Sequence, residues 1–220
     1  MSPTRERLAS NPERLAYWYF RVNGFLTTEN FIVHPYTGQE QRTDADLLAV
    51  RFEHRAENLT RPMKDDPKVV CCETFANIII AEVKTGPCAL NGPWTNPQAG
   101  NLKRVLKAVG CVPHGAIDLA CDSLHKRGVW SDPLVTIRLF AVGESYVDTL
   151  LISQNQQLTW EEIISFCVRR FAAYQREKSS VGQWTEDGRQ LKEDATDTSP
   201  EARIRRSFAL RPKHDIARGV

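Results

Sequence analysis

One stretch of the sequence decides the expected fold: Asn77-Ile78-Ile79-Ile80-Ala81-Glu82-Val83-Lys84. Its apolar run has the length of a buried strand. Because the acid and the lysine that close the run are separated by one residue, they project from the same face of that strand. When an acid and a lysine lie together at a strand end, the acid can bind a divalent metal ion and the lysine can orient an attacking water beside it.

The pattern acid-x-Lys is weak by itself, since chance produces about one match in a chain of this composition. The sequence contains two matches, Glu82-Val83-Lys84 and Asp66-Pro67-Lys68. The second lies in a polar, proline-containing excursion, whereas the first closes an apolar strand. We therefore expect only the first match to form a site.

A further acid lies upstream, where the run 46–52 is typical of a preceding strand that begins at Asp46. If the two strands are neighbours, Asp46 and Glu82 can share a metal ion. Two acids placed this close repel each other unless a cation lies between them. Asp44 has the same strand parity and is the alternative ligand, but Asp46 directly abuts the apolar run and is the preferred candidate.

The rest of the pattern predicts elements in the order α-β-β-β-α-α-β-β-α. Helices are predicted over about 12–23, 97–109 and 114–126, and from residue 160 onward, where Thr159 and Glu162 have capping-box spacing. Strands are predicted over about 25–34, 46–52, 75–83, 134–142 and 146–152. This order, with an apolar run at its centre, favours an α/β domain with a mixed central sheet flanked by helices.

Composition limits the class of protein without naming a partner. The 220 residues are 41% hydrophobic and 25% charged, with a net charge of +2, as in a soluble chain large enough for one good core. We predict an α/β domain over residues 1–178 and a polar, partly flexible C-terminal extension over 179–220. No apolar run approaches the ~20 residues of a membrane-spanning helix, and no secretory signal is visible, so we expect a cytoplasmic protein.

Other common chemistries lack their sequence signatures. The six cysteines have no Cys-x-x-Cys spacing and are expected to be reduced and mostly structural, and the five histidines are scattered without ligand spacing. No Gly-x-Ser-x-Gly elbow, Walker loop or dinucleotide fingerprint occurs. These patterns disfavour a serine hydrolase or a nucleotide-driven enzyme.

The residues singled out above resemble the signature of the restriction-endonuclease-like (PD-(D/E)xK) nuclease superfamily. That signature is an acid, a variable interval and then acid-x-Lys on consecutive core strands after an N-terminal helix. Here the matching residues are Asp46, Glu82 and Lys84, and Glu13 matches the extra helical glutamate of many members, including archaeal Holliday-junction resolvases. The similarity spans roughly residues 13–110.

The resemblance implies a restriction-endonuclease-like core and a nuclease that hydrolyses DNA phosphodiester bonds with Mg²⁺ or Mn²⁺. Asp46 and Glu82 would be the metal ligands, Lys84 would position or activate the water, and Glu13 would complete the metal shell or orient its waters. Gln98 matches an additional polar site residue of some members.

Substrate contacts are expected just after the site. The helix that follows carries Lys103, Arg104 and Lys107, whose spacing of three and four can direct them toward phosphates. Trp94, in the preceding loop, can stack on a base. The alternatives are a solvated helix face and a local core residue.

A second class of function stays open at this stage. A nuclease-like fold can serve as a non-catalytic module that binds nucleic acid or forms part of a larger assembly. RNA substrates, a homodimer, or a partner protein bound through the C-terminal extension are equally compatible with the sequence.

Overall fold

A computed structural model describes residues 12–33, 43–57, 63–70, 74–177, 182 and 184–197 of the chain. The α-helices in this part are α1 (Pro12–Val22), α2 (Gly92–Thr95), α3 (Asn101–Val109), α4 (Ile117–Arg127), α5 (Trp160–Ala173) and α6 (Glu186–Thr196). The strands are β1 (Leu26–Val33), β2 (Thr43–Phe52), β3 (Ala76–Val83), β4 (Val129–Ser131), β5 (Val135–Gly143) and β6 (Gln157–Thr159). Short 3₁₀ turns lie at Pro97–Ala99, His114–Ala116 and Gln154–Gln156.

The strands form one six-stranded mixed sheet with the order β1-β2-β3-β5-β4, and β6 also pairs with β5. The pairs β1–β2 and β2–β3 are antiparallel, while β3 and β5 run parallel. A parallel pair needs a crossover connection, which α3 and α4 provide. As a result, the carboxyl ends of β3 and β5 lie at the same edge of the sheet, where β2 begins.

Helices cover both faces of this sheet, as the sequence predicts. Alternate residues of the central strand β3 face opposite layers: Ile79 and Ala81 pack in the cluster that includes α1, α5 and α6, whereas Ile78 and Ile80 pack in the cluster of α3 and α4. Glu82 has the parity of Ile78 and Ile80. Its side chain therefore points to the α3–α4 side, at the end of a strand that is almost entirely buried.

Helices α1 and α5 were predicted well because their signals are local. α1 begins at Pro12, carries an acid in its first turn and buries a stripe that includes Leu15, Trp18 and Tyr19. α5 begins with the predicted capping box, since the side chains of Thr159 and Glu162 each bond the other's backbone N–H. Asn11, whose position before Pro12 predicts an N-cap, lies outside the described residues.

The predicted strand over 146–152 is wrong. No strand occupies this run, and the side-chain amide of Gln157 bonds both the N–H and the carbonyl of Val147, at 2.9 Å each. A side chain thus satisfies the backbone groups that a neighbouring strand would otherwise pair. The outer partners of β5 are the three-residue strands β4 and β6, which are too short to give a periodic signal.

The predicted helix over 97–109 is divided in the structure. Asn96 caps a 3₁₀ turn through its side chain, and Gly100 then adopts a left-handed conformation with φ of 67° before α3 begins. One turn earlier, the short helix α2 occupies a stretch that the sequence predicted as loop.

The region predicted to be a partly flexible extension contains a helix. α6 packs against α5 and buries Leu191 and Ala195. Gly188 lies so close to the Trp18 ring that a Cβ atom there would overlap it. A stretch of low hydrophobicity thus becomes ordered through a few tertiary contacts. The predicted role of residues 198–220 in partner binding lies outside the described residues.

In the described part of the chain, no helix has the length and apolar character that crossing a membrane requires.

Candidate active site

The predicted pair of acids comes together at the edge where β2 begins and β3 ends. The last antiparallel pair between these strands is Leu47 with Ala81, and one further step along the same register places Asp46 opposite Glu82. The Asp46 Oδ2 atom accepts a hydrogen bond of 2.7 Å from the backbone N–H of Val83. This bond holds the Asp46 carboxylate against the end of β3.

Asp44, the alternative ligand, also lies on β2, but its side chain is not among those that the structure describes.

Glu82 is buried, with 4% of its surface exposed, and protein donors surround its carboxylate. The Oε1 atom accepts from Lys84 Nζ and from Asn91 Nδ2, and the Oε2 atom accepts from Trp94 Nε1 at 2.8 Å. A buried carboxylate is tolerated only when its oxygens are paired. The three donors meet this requirement.

The surroundings of Glu82 nevertheless favour its protonated form. Burial raises the pKa of the Glu82 carboxyl, the charge of Asp46 raises it further, and the bonds from Lys84 and Trp94 offset only part of this effect. The net pKa lies above the ordinary value of a glutamate. A cation bound between the two acids would stabilise both charges.

Lys84 connects the buried acid to solvent. Its side chain is 28% exposed, while that of Glu82 is 5% exposed. The ammonium group thus lies at the boundary between the carboxylate pair and the outside of the sheet edge. This is a suitable place for a group that contacts both a bound water and a charged substrate.

Glu13 lies in the first turn of α1, which packs on the other layer. Its neighbour Arg14 forms an ion pair with Glu29, and Glu29 pairs with Leu47 on β2. The first turn of α1 is therefore at the same end of the sheet as Asp46. The role of Glu13 in a metal shell stays a prediction.

The donor set suits a hard divalent cation. Mg²⁺ is usually bound through one or two carboxylates, several waters and substrate phosphates rather than by a complete protein cage. Asp46 and Glu82 supply two such carboxylates. Among the described residues, no group of three or more His, Cys, Asp or Glu side chains is arranged to hold a metal ion.

Trp94 does not have the predicted base-stacking position. It is only 2% exposed and packs in the cluster of α3 and α4, with its indole N–H directed at Glu82. A base cannot stack on a ring that the core already covers. The alternative interpretation, a local core residue, describes its packing.

The predicted phosphate-binding side chains have protein partners in this structure. Lys103 Nζ contacts Asp118 Oδ1 at 2.6 Å, and Arg104 bonds the carbonyl of Ala99 and the side chain of Asn101. Lys107 is exposed on α3. Arg104 therefore stabilises the start of its own helix, and the substrate role of the three basic residues stays a prediction.

Gln98 lies exposed in the 3₁₀ turn before α3, where its backbone N–H donates to the side chain of Asn96. Its side-chain role also stays a prediction.

Asn91 is the site residue that sequence reasoning missed. It lies in the stretch before Asn96 that the sequence predicts as loop, so no local pattern marks it as a site residue. Only the tertiary structure shows its amide directed at Glu82.

A second lysine–carboxylate cluster lies beside the N-terminus of α5. Lys68 Nζ contacts Glu162 Oε1 at 2.6 Å and the Tyr146 hydroxyl at 2.8 Å, and that hydroxyl donates to Glu162 at 2.5 Å. The three side chains border an open cavity of about 570 Å³. Its remaining lining residues are Asp66, Glu144, Ser145, Thr159, Glu161, Ser165 and Arg169.

The described cysteines are free thiols at positions 88, 111, 121 and 167. Burial raises the pKa of Cys88 to about 11 and that of Cys167 to about 12. Thiols with such pKa values are poor nucleophiles at neutral pH, in agreement with the predicted structural role. Cys71 and Cys72 lie outside the described residues.

Comparisons with protein-family models, curated proteins and solved structures find no significant match to this chain. The function has to be inferred from the chemistry of the site.

Proposed function

We propose that the chain is a nuclease of the restriction-endonuclease-like class that hydrolyses DNA phosphodiester bonds with Mg²⁺ or Mn²⁺. One observation carries the proposal: Asp46, Glu82 and Lys84 meet at the ends of two neighbouring central strands. The pKa of Glu82 is raised by burial and then by the charge of Asp46, which supports the proposal because a cation would favour the charged forms of both acids. The helix, three strands and following helix also occur in the order that the resemblance implies.

In the proposed mechanism, Asp46 and Glu82 would hold the metal ion, which when bound polarises a phosphoryl oxygen and lowers the pKa of a bound water. Lys84 Nζ would orient the attacking water and stabilise the negative charge that develops on the phosphoryl oxygens. Its contact with Glu82 Oε1 limits where the ammonium group can move. Glu13, from the first turn of α1, would orient further waters at the same edge.

DNA would approach along the side of the sheet that carries α3, because Glu82 points to that layer. Lys103 and Lys107 are exposed there and can contact phosphates. The pair of Lys103 with Asp118 is exposed, at 47% and 78% of the two side chains. Pairs this exposed contribute little to stability, so a phosphate can replace Asp118 at low cost.

The test is cleavage by the purified protein of duplex, single-stranded and branched DNA and of RNA, with Mg²⁺ or Mn²⁺. We expect wild type to cut DNA and Glu82→Gln to lose activity by two orders of magnitude or more, roughly the effect of removing a group that organises the transition state. Glu162→Gln is the matched control, since Glu162 also contacts a lysine. Uncut DNA with every metal, or cleavage by Glu82→Gln at the wild-type rate, would contradict the proposal.

The second candidate is a non-catalytic nuclease-like module, and one observation favours it. Glu82 is 4% exposed and three protein donors already pair its carboxylate. A module that keeps these acids only for stability would need no metal. Calorimetry with Mn²⁺ separates the two candidates, because only the enzyme takes up the ion through Asp46 and Glu82.

A further inference from the structure

We propose that Asn91 and Trp94 are positioning residues that hold the Glu82 carboxylate in the orientation required for metal binding. This inference rests on the proposed nuclease function and deepens it, since it assigns two residues outside the acid and lysine motif to the same site.

Asn91 uses its side chain for Glu82 rather than for its own helix. It occupies the N-cap position of α2, where an asparagine side chain normally accepts a hydrogen bond from the helix backbone. In this structure it makes no such bond, and its amide nitrogen donates to Glu82 Oε1 instead. The local capping role is thus replaced by a contact with the neighbouring strand.

Trp94 approaches the same carboxylate from the interior. Its ring is packed among apolar side chains of the α3–α4 cluster, and its indole N–H donates to Glu82 Oε2 at 2.8 Å. Because the two donors bind different oxygens, they restrict rotation of the carboxylate about its last bond. Lys84 alone, which contacts only Oε1, would leave that rotation freer.

The donor segment is itself anchored to a neighbouring helix. Trp94 packs in the same apolar cluster as Ile117, Ala120 and Leu124 of α4. The position of the indole is therefore tied to α4 as well as to α2. In metal sites, outer-shell residues orient the metal ligands. Here the residues that would orient the Glu82 carboxylate are themselves fixed by packing.

Loss of an outer-shell partner of this kind typically weakens metal affinity or activity by about 10–100-fold. Mg²⁺ makes this sensitivity stronger, because it demands nearly ideal octahedral geometry.

The experiment measures Mn²⁺ affinity by calorimetry for full-length wild type, Asn91→Ala and Trp94→Phe. Trp94→Phe keeps an aromatic ring and removes only the N–H donor, while Asn91→Ala changes an exposed residue and should not impair folding. The matched controls are Trp130→Phe, in the same core cluster, and Asn96→Ala, which removes an asparagine that does cap its own turn. Thermal unfolding without metal and KM for duplex DNA are measured in parallel.

We expect the Mn²⁺ dissociation constant to rise about 10-fold or more in Asn91→Ala and Trp94→Phe. The two controls should stay within about two-fold, and KM for DNA should not change. A purely structural role would instead lower the unfolding temperature and leave the affinity of the folded protein unchanged. If wild type binds Mn²⁺ and both variants bind it equally well, the positioning role is wrong while the nuclease proposal survives. If wild type binds no Mn²⁺, both proposals fail.

Discussion

Two lysine–glutamate contacts in this molecule join the same chemical groups, but the pKa of the glutamate is shifted in opposite directions. At the end of β3, Glu82 contacts Lys84 and has a raised pKa, because it is buried and faces Asp46. At the start of α5, Glu162 contacts Lys68 and has a lowered pKa, although burial acts against this. Hydrogen bonds from Lys68, the Thr159 backbone and Tyr146 outweigh burial there. Glu82 also has three donors, so its deeper burial and the second acid beside it explain why its pKa is raised.

The largest difference between the two clusters should appear in stability. Trp94→Ala removes a fully buried ring beside Glu82 and should lower the free energy of unfolding by about 3–5 kcal/mol. Tyr146→Ala, in the other cluster, removes a side chain that is 39% exposed and should cost about 1 kcal/mol or less. Urea unfolding at neutral pH measures both, and equal losses would show that the two aromatic residues support their clusters alike.

The next effect concerns cleavage. Lys84→Met removes the ammonium group but keeps most of the side-chain volume, so we expect DNA cleavage to fall about 10²–10³-fold in single-turnover assays. Lys68→Met is the matched change in the other cluster and should retain the wild-type rate. Equal losses of activity in the two variants would contradict the specific role of Lys84 in cleavage.

A smaller effect tests the repulsion between the two acids. Asp46→Asn keeps an oxygen that can accept from the Val83 N–H and removes the charge facing Glu82. Without metal at neutral pH, we expect the unfolding temperature to rise by roughly 2–4 °C, the shift that about 1 kcal/mol produces in a domain of this size. Glu161→Gln, an exposed acid near the other cluster, should produce no such rise. An unchanged or lower midpoint for Asp46→Asn would mean that the two charges do not repel.

The smallest effect is in the pH dependence of stability. Since the folded-state pKa of Glu162 lies below its unfolded value, its contribution is present at neutral pH and is lost as the pH falls through the lowered folded-state pKa. Glu162→Gln retains a side chain that suits the capping box but lacks this charge. Wild type should therefore lose more stability than Glu162→Gln between pH 7 and about pH 3 in urea titrations. Parallel losses would show that the charge of Glu162 does not contribute.

Much of the central architecture was accessible from sequence because its signals are local. The strand-like run 46–52 and the apolar run that ends at Glu82 predicted β2 and β3, and the capping box predicted the start of α5. The failed strand over 146–152 shows the limit, since the Gln157 side chain takes the place of a paired strand. α6 was missed as well, because its order comes from contacts with α1 and α5 rather than from its own hydrophobicity.

The candidate site also has features that the sequence predicts and features that only the structure shows. The sequence by itself placed Glu82 and Lys84 on one face at the end of β3, because side-chain direction alternates along every strand, and placed Asp46 at the start of the preceding strand, whereas β2 begins three residues earlier, at Thr43. Only the tertiary structure decided that Asp46 stands opposite Glu82, and that Asn91 and Trp94 direct their N–H groups at its carboxylate. Strand register and the packing of α2 depend on residues distant in the chain. Local periodicity therefore predicts which residues are candidates for the site, whereas long-range packing decides how their side chains are oriented.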